Sequence, residues 1–535
     1  MKLHLVDQAI IVGYFIFVLG IGFLLKKQNR SGVEFFLSGR SLPAWITGLA
    51  FISANLGSLE VMGHAANAAK YGMMAASCFY WLGAIPAMLF LGVFMMPFYY
   101  RAKVRSSPEY LKLRFDERCR GFNAIGFGVL TILMSGINMY AMALVFNIFL
   151  NWSMDASIWI SASTVMVYVL LGGLRSAIYN EVLQFFLIFI GLAPLTIMGL
   201  TEVGGWTALM QRLPWEYRHA YAVLADPQTN PMGVSWYAVI LALTLFAGTS
   251  YWCTDFLIVQ RALAARDLDA ARQTPLIAAF FKMLSPAIII VPGLIALAVI
   301  PNQIQGQYNM VIPLLLERYY QSTPGLLGLG LIALLASFMS GMAGNVTAFN
   351  TVWTYDIYQP YLRPNRSEGH YLWVGRLATV CGTILSVTTS YLVMRFRNMG
   401  DYLVLVFSLF IFPMSTAFLA GMFWKRTTAT GAFYGMITGV ITNMAHYGLY
   451  RCDIVPYRTE MAANIYIIIV GWLLGLAVTI GISLTTKPQP EKDLVGLVYS
   501  LSRVQDEKPV RWLRAPGFWA IILLAMFLLL AYFFW

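Results

Sequence analysis

The residues Ala54-Asn55-Leu56-Gly57-Ser58-Leu59-Glu60 decide how this chain can fold, because they interrupt a long apolar segment with helix-weakening residues and then a carboxylate. A bilayer core offers no water to pair with free backbone groups or to solvate an ionised side chain. Non-helical backbone at that depth persists only where protein or a water-filled cavity surrounds it. The stretch therefore predicts a protein-lined cavity in the middle of a membrane, as part of a solute pathway.

The composition of the chain is that of an integral membrane protein. Of its 535 residues, 59% are hydrophobic and 11% are charged, which is more apolar surface than one water-soluble core buries. Apolar runs near the bilayer-crossing length of about 20 residues recur about fourteen times. We predict an all-α polytopic membrane protein whose spans lie near residues 6–26, 41–64, 75–100, 122–150, 156–175, 179–202, 235–253, 273–300, 326–356, 371–397, 400–424, 429–449, 462–484 and 516–535.

The net charge of +12 is distributed between loops in a way that predicts an orientation in the membrane rather than binding to nucleic acid. When loops are taken alternately, starting after the first span, one side holds 25 of the 36 Lys and Arg residues and the other holds 9. The positive-inside rule places the richer set, including the loops of Lys26, Arg101 and Lys425, in the cytoplasm. We therefore expect both termini on the extracytoplasmic side of a plasma or inner membrane.

Other motifs exclude several classes of protein. The five cysteines have no CxxC spacing and predict neither a disulfide framework nor a zinc site, and the absence of a GxxxxGK[ST] motif removes the simplest ATP-driven mechanism. The spans carry no nucleophile, base and acid constellation. We expect no catalytic residues, no enzymatic activity and no covalent cofactor. Because the polar stretches are only loop-sized, residues 1–535 are predicted to form a single transmembrane transporter domain.

A second interruption, Gly248-Thr249-Ser250-Tyr251-Trp252-Cys253-Thr254-Asp255, lies five spans after the first. Carriers built from inverted repeats place discontinuous helices at corresponding positions of the two repeats. We predict a first repeat over residues 41–202, a second over 235–424, and peripheral C-terminal helices over 429–535. The alternative is that small and polar residues in these spans only permit close helix packing.

Six motifs, in this order along most of the chain, resemble those of the sodium/solute symporter family. The fourth is most similar to the sodium/sugar (glucose/galactose) cotransporter branch. The resemblance implies a five-plus-five inverted-repeat (LeuT-like) core with one helix before it and three after it, which moves solute by alternating access. The motifs are Phe36-Leu37-Ser38-Gly39-Arg40-Ser41-Leu42-Pro43, Ser53-Ala54-Asn55, Gly172-Gly173-Leu174, Tyr251-Trp252-Cys253-Thr254-Asp255 with Gln260-Arg261, Thr354-Tyr355-Asp356-Ile357-Tyr358 and Phe423-Trp424-Lys425-Arg426.

The resemblance also implies sodium as the coupling ion. A hard cation prefers oxygen ligands, and an unwound helix exposes carbonyl oxygens. Because one hydroxyl of the family pattern is replaced by glycine here, a Gly341→Ser substitution is expected to strengthen sodium dependence. Instead of binding sodium, the small residues of the eighth core helix could form a stripe for helix packing. Glu181 could likewise be a carboxylate that only stabilises the N-terminus of a helix. The implied sodium positions are Ser53, Leu56, Ser337, Ser340 and Gly341, and Glu181 is a candidate second ion position.

A solute pocket with an aromatic pair, a lysine and amide or carboxylate groups is implied as well. Sugars suit this mixture, since their C–H faces stack on rings and their hydroxyls need fixed hydrogen-bonding partners. The chain departs from the family pattern at Tyr80, where an acidic residue is expected, and at Val404, where a glutamine is expected. Lys282 lies in the middle of a predicted span, where a charged side chain needs a partner, and the candidates are the solute, Asp255 and Glu60. The alternative is that Lys282 forms a purely structural ion pair that never contacts solute. The implied positions are Asn55, Glu60, Tyr80, Tyr251, Trp252 and Lys282.

Together these observations predict sodium-coupled uptake of a small polar solute, with a sugar as the first choice. The alternatives left open are a carrier for a polyol, sugar acid or amino acid, a proton-coupled or uncoupled carrier, and a membrane sensor that binds solute without transporting it. The expected partners are solute, sodium and membrane lipid, with no nucleic acid. The sequence leaves the oligomeric state undetermined.

Overall fold

The structure is a computed structural model that describes residues 3–25, 32–394, 399–501 and 515–535. Within those ranges the chain is helical, and β pairing is limited to an isolated parallel bridge between Leu42 and Ala265. The long helices, numbered in chain order, are α1 (Leu5–Leu25), α2a (Ala44–Asn55), α2b (Leu59–Tyr71), α3 (Ala76–Arg101), α4 (Glu117–Leu150), α5 (Met154–Val203), α6a (Trp236–Thr254), α6b (Phe256–Leu263), α7 (Leu268–Val299), α8 (Leu326–Leu362), α9 (Glu368–Val393), α10 (Met399–Phe423), α11 (Ala429–Arg451), α12 (Glu460–Thr485) and α13 (Pro516–Phe533). Shorter helices in the connections include Gly32–Leu37, Ser107–Arg114, Trp206–Arg212 and Val311–Tyr320.

Eleven helices of the described ranges are long and apolar enough to cross a membrane, and the bent pair α2a and α2b makes a twelfth. The predicted all-α polytopic membrane protein is confirmed, whereas the count of about fourteen spans is not. Helices also occupy the predicted spans 156–175 and 429–449, but Met154–Val167 is too short to count and α11 does not meet the same criteria. Lys26, used for the predicted orientation, lies outside the described residues.

The predicted spans 156–175 and 179–202 correspond to the two halves of α5, Met154–Val167 and Gly173–Val203, which are separated by a break in the helix at Gly173. The Gly173 backbone has φ 56° and ψ −158°, a conformation that only glycine adopts without strain. A Cβ atom at this position would lie 2.6 Å from Phe35 Cδ2. A glycine hinge, and not a loop at 176–178, therefore joins the two halves.

The most buried element is α8, whose residues from Leu327 to Val352 are almost all enclosed by other helices. It packs against α5, α4, α9, α1 and α2a. Next to it, α2a packs against α7, α5 and α6b, and α6a contacts α10 and α12. The helices α1 and α13 expose most of their apolar residues, which suits contact with lipid. This arrangement brings the two interrupted helices, α2 and α6, together in the protein interior.

We predict that Gly173→Ala destabilises the protein, because alanine is strained at this φ and its Cβ meets Phe35. The expected loss is about 1–3 kcal/mol of unfolding free energy. Gly481→Ala in α12 is the matched control, since nothing lies within 4 Å of its Cβ position and alanine favours a helix. Thermal unfolding in detergent should show a lower midpoint for Gly173→Ala alone; equal midpoints for the two variants would contradict the hinge assignment.

Candidate functional site

The interruption of α2 exposes backbone groups in the middle of the protein. Helix α2a ends at Asn55, α2b begins at Leu59, and their axes differ by 57°. The Gly57 N–H donates to the Asn55 carbonyl at 2.8 Å, whereas in a continuous helix it would donate to Ser53. The Ser53 carbonyl therefore does not receive its helical hydrogen bond and can serve another ligand.

Three helices meet at this interruption. A Cβ atom on Gly341 of α8 would lie 2.7 Å from Gly57 Cα, so the two backbones approach each other as closely as glycine allows. Asn138 of α4 accepts hydrogen bonds from Ser58 Oγ, at 3.0 Å to Oδ1 and 3.4 Å to its carbonyl oxygen. Its own Nδ2 donates to the Met134 carbonyl at 2.9 Å. The irregular backbone is thus held by a neighbouring glycine and an amide.

The predicted sodium positions lie on the α8 side of the interruption, and all five are buried. Ser53 Oγ and Ser340 Oγ share a hydrogen bond of 3.0 Å across α2a and α8. Ser337 Oγ is fully buried and has no hydrogen-bond partner among the described residues. Neutral oxygens with one hydroxyl unpaired are a donor set that fits a hard monovalent cation.

Gly341 lies at a backbone packing contact, whereas the family resemblance implies a sodium position there. Its carbonyl accepts a hydrogen bond from Asn345 Nδ2 at 2.9 Å, and its Cα is the contact surface for Gly57. A serine side chain would collide with the backbone of α2 before it could serve as an ion ligand. The expectation that Gly341→Ser strengthens sodium dependence is therefore corrected, because the glycine is required by close packing.

A cavity of about 130 Å³ lies beside the interruption, between α2, α3, α4, α6a, α7, α8 and α10. It is far larger than the roughly 10–15 Å³ that a single water needs. Apolar groups such as Leu130, Met134 and Phe412 form much of its wall. Five of the six predicted solute residues line it, namely Asn55, Glu60, Tyr251, Trp252 and Lys282.

Lys282 of α7 is held by partners from α2. Its Nζ pairs with Glu60 Oε1 and donates to Asn55 Oδ1 at 2.8 Å, and both side chains of the ion pair are buried. It also lies 4.0 Å from the ring centre of Tyr80 and 5.4 Å from that of Trp252, within cation–π range. Of the partners that the sequence suggested for Lys282, the structure shows Glu60 in an ion pair with it.

The network continues on both sides of this ion pair. Glu60 Oε2 lies 3.2 Å from His64 Nε2, and His64 Nδ1 lies 3.3 Å from Asn67 Nδ2. The imidazole of His64 therefore links the Glu60 carboxylate to the Asn67 side chain along α2b. On the other side, Asn55 Nδ2 donates to Tyr251 Oη at 2.9 Å. A continuous polar chain therefore crosses the cavity wall from α2b to α6a.

A model of the sodium:solute symporter family matches residues 35–439. The chain belongs to the sodium:solute symporter family. Among its relatives are the sodium/glucose cotransporter 4 of Danio rerio and the sodium/glucose cotransporter 2 of Rattus norvegicus, each 29% identical. These matches cover 95% and 94% of this chain and 82% of each relative. The sodium/myo-inositol cotransporter of Mus musculus is 28% identical over 92% of this chain and 75% of its own length.

Solved structures support the fold of this symporter. A Na⁺-coupled sialic acid symporter in a substrate-bound outward-open state superposes with a TM-score of 0.74 at 18% identity, covering 91% of this chain and 99% of the other. A transporter of the nucleobase-cation-symport-1 family, in a closed conformation with bromovinylhydantoin bound, gives 0.52 at 12% identity, with coverages of 87% and 98%. At these identities the likeness concerns the fold alone, and it confirms the predicted LeuT-like architecture.

Several cavity residues were not singled out as ligands from the sequence. Asn138, Thr131 and Asn345 line the cavity, as do His64 and Asp255. Asn138 stands in the apolar run Ile137-Asn138-Met139, and a polar residue within a span is a signal that could have identified it. Conversely, Tyr80 does not line the cavity, and its ring instead supports Lys282 from behind.

Glu181, the candidate second ion position, is held by Arg261 of α6b. The guanidinium donates from Nη2 to Oε1 at 2.5 Å and from Nε to Oε2 at 3.3 Å, and both side chains are fully buried. Both carboxylate oxygens are therefore engaged by a permanent cation. The pair joins α5, at the end of the first predicted repeat, to α6b, near the start of the second. A second ion at Glu181 remains a prediction.

We predict that Glu181→Gln destabilises the symporter by about 3–5 kcal/mol, because it leaves Arg261 buried without its counter-charge. Glu202→Gln is the matched control: Glu202 pairs with Arg318 at the surface, where losing an ion pair costs about 0–1 kcal/mol. Chemical unfolding in mixed micelles should separate the two variants. Similar losses for both would show that the buried pair is not a structural contact of this strength.

We also predict that Gly341→Ala impairs sodium binding and stability, whereas Gly344→Ala, one turn later on α8, is tolerated. The added methyl would lie 2.7 Å from Gly57 Cα in the first variant but 3.4 Å from its nearest neighbour, Leu257 Cδ1, in the second. We expect overpacking to cost about 1–3 kcal/mol and to displace the α2 interruption. Sodium-dependent changes in tryptophan fluorescence would report the difference, and an undiminished sodium response in Gly341→Ala would refute the close-packing role.

Proposed function

We propose that this symporter couples sodium movement down its gradient to the uptake of a small polar solute, and that the solute is a sugar. The observation that carries the proposal is the proximity of two ligand environments at one interrupted helix. Ser53 contributes to the oxygen cluster with Ser340, and Asn55, two residues later, reaches into the solute cavity. An ion that orders this backbone also orders the solute site.

The sodium ion is proposed to bind between α2a and α8. Ser337 Oγ, which has no other partner among the described residues, and the hydroxyls of Ser53 and Ser340 supply side-chain oxygens. The carbonyls of Ser53 and Leu56 complete the set from the interrupted backbone. Gly341 contributes packing and no side-chain ligand.

A sugar suits the remaining lining of the cavity. Tyr251 and Trp252 offer ring faces for C–H groups, and Asn55, Asn138 and Lys282 offer fixed hydrogen-bonding groups for hydroxyls. The relatives named for glucose and myo-inositol support a polyhydroxylated solute. An enzymatic role has no such support, and we infer transport alone.

Alternating access requires that the cavity be closed on each side in turn. On one side the bridge between Leu42 and Ala265 joins the start of α2a to the end of α6b. On the other, Lys70 at the end of α2b pairs with Asp401 of α10 at 2.7 Å, and Tyr71 Oη donates to the same carboxylate at 3.0 Å. With both termini outside, as the charge distribution predicts, the Lys70 contact is the outer closure in a plasma or inner membrane.

The available driving force suits accumulation of solute. One sodium ion entering per cycle supplies about 2.3 kcal/mol per 100 mV of membrane potential plus about 1.4 kcal/mol for a tenfold gradient. This free energy supports a concentration ratio of several hundredfold. We therefore propose a scavenging carrier and not a facilitator.

The test is uptake of radiolabelled hexoses and myo-inositol into proteoliposomes with an inward sodium gradient, compared with potassium or a proton gradient. We expect transient accumulation only with sodium. Ser340→Ala should raise the sodium concentration for half-maximal uptake about tenfold, since it removes one oxygen ligand. Ser390→Ala is the control, because Ser390 is also buried and helical but bonds the Val387 carbonyl of its own helix.

Two outcomes would overturn this function. Uptake that follows a proton gradient, or that proceeds equally without any cation gradient, would exclude sodium coupling. Solute-induced fluorescence changes without measurable flux would instead identify a sensor.

A further inference from the structure

The ionisable groups of the cavity come from two helices and one helix break. Lys282 belongs to α7, Glu60 and His64 to α2b, and Asp255 to the interruption between α6a and α6b. Asp255 Oδ1 accepts the Leu257 N–H at 2.9 Å and so caps α6b. The wall therefore holds two carboxyl groups, one amine and one imidazole.

The ammonium group of Lys282 is already neutralised by the protein. Glu60 and Asn55 occupy two of its three donor positions, and the rings of Tyr80 and Trp252 cover further directions. A carboxylate on the solute would have to displace Glu60, leaving that buried carboxylate unpaired.

An uncharged hydroxyl does not meet this penalty. It can accept from the hydroxyl of Tyr251, which itself only accepts from Asn55, and donate to the oxygens of Glu60 or Asn138 without breaking the ion pair. The polar wall therefore matches a solute that both donates and accepts hydrogen bonds and carries no net charge.

We propose that the Glu60–Lys282 pair makes this symporter selective for uncharged polyhydroxylated solutes over their carboxylate counterparts, and that Glu60 is the specificity-determining residue. The inference rests on the proposed function and narrows its substrate class. Without Glu60, Lys282 is a buried cation facing the cavity, and a solute carboxylate becomes its natural partner. Removing one carboxylate is thus expected to change which solutes are carried.

The test is competition in proteoliposomes that, under an inward sodium gradient, take up whichever labelled neutral hexose or inositol is best transported. Glucose is compared with glucuronate, galactose with galacturonate, and glucosamine is included as an amine. For the wild type we expect each uronate to compete at least about tenfold more weakly than its hexose. For Glu60→Gln we expect the ratio to move at least about tenfold towards the uronate.

Two further variants separate specificity from general damage. Glu60→Gln combined with Lys282→Gln should lose the gain for uronates, because the cation is gone. Glu202→Gln, in a surface pair outside the cavity, should leave every ratio unchanged. If Glu60→Gln does not fold, the wild-type ratios still test the selectivity, and Glu60→Ser, a smaller neutral replacement, tests the role of Glu60 in its place.

The proposal is overturned if uronates compete as well as hexoses in the wild type, if glucosamine is strongly preferred, or if the ratio in folded Glu60→Gln does not move. Failure of this inference is distinct from failure of the proposed function. Sodium-driven accumulation of a uronate would contradict the inference and leave sodium coupling intact, whereas absence of sodium-driven uptake for every solute would contradict the function.

Discussion

The close approach of Gly57 and Gly341 is the constraint on which the rest of the site depends. An interrupted helix inside an apolar protein leaves backbone groups that need partners, and these must come from neighbouring helices because bulk water is absent. Because residue 341 of α8 is a glycine, the backbone of α2 can contact α8 directly. Asn138 of α4 then accepts a hydrogen bond from the Ser58 hydroxyl. The hydroxyls of Ser53 and Ser340 meet beside this contact, and Ser337 lies one turn earlier on α8. The proposed ion ligands are therefore positioned by the same helix packing.

The ion pair of Glu60 and Lys282 places opposite charges from the two predicted repeats in one network. A buried pair is not by itself evidence of stability, since desolvation offsets much of the attraction. The pair instead positions neighbouring groups. Lys282 donates a hydrogen bond to Asn55, and Asn55 in turn donates one to Tyr251. Glu60 neutralises the charge that Lys282 would otherwise present to the cavity. Packing thus determines the chemistry that the solute encounters.

Much of this could be predicted from sequence, and the failures have physical causes. Hydropathy and helix-breaking residues located α2 and α6, and the polar residues Asn55, Glu60 and Lys282 stood out against apolar surroundings. The pattern could not show that Gly341 is a contact surface, that Tyr80 lies behind the lysine or that Arg261 engages Glu181, because these depend on which face each helix presents. The join at Gly173 was missed because a hinge glycine and a loop leave the same break in hydropathy.

The most direct test of the account is equilibrium binding of ²²Na⁺ to the purified symporter with and without a transported solute. If one interrupted helix serves both ligands, solute should tighten sodium binding, and sodium should tighten solute binding by the same factor. Ser340→Ala should weaken sodium binding both with and without solute. Sodium affinity that is indifferent to solute, or unaffected by the loss of Ser340, would contradict a shared site at the interruption of α2.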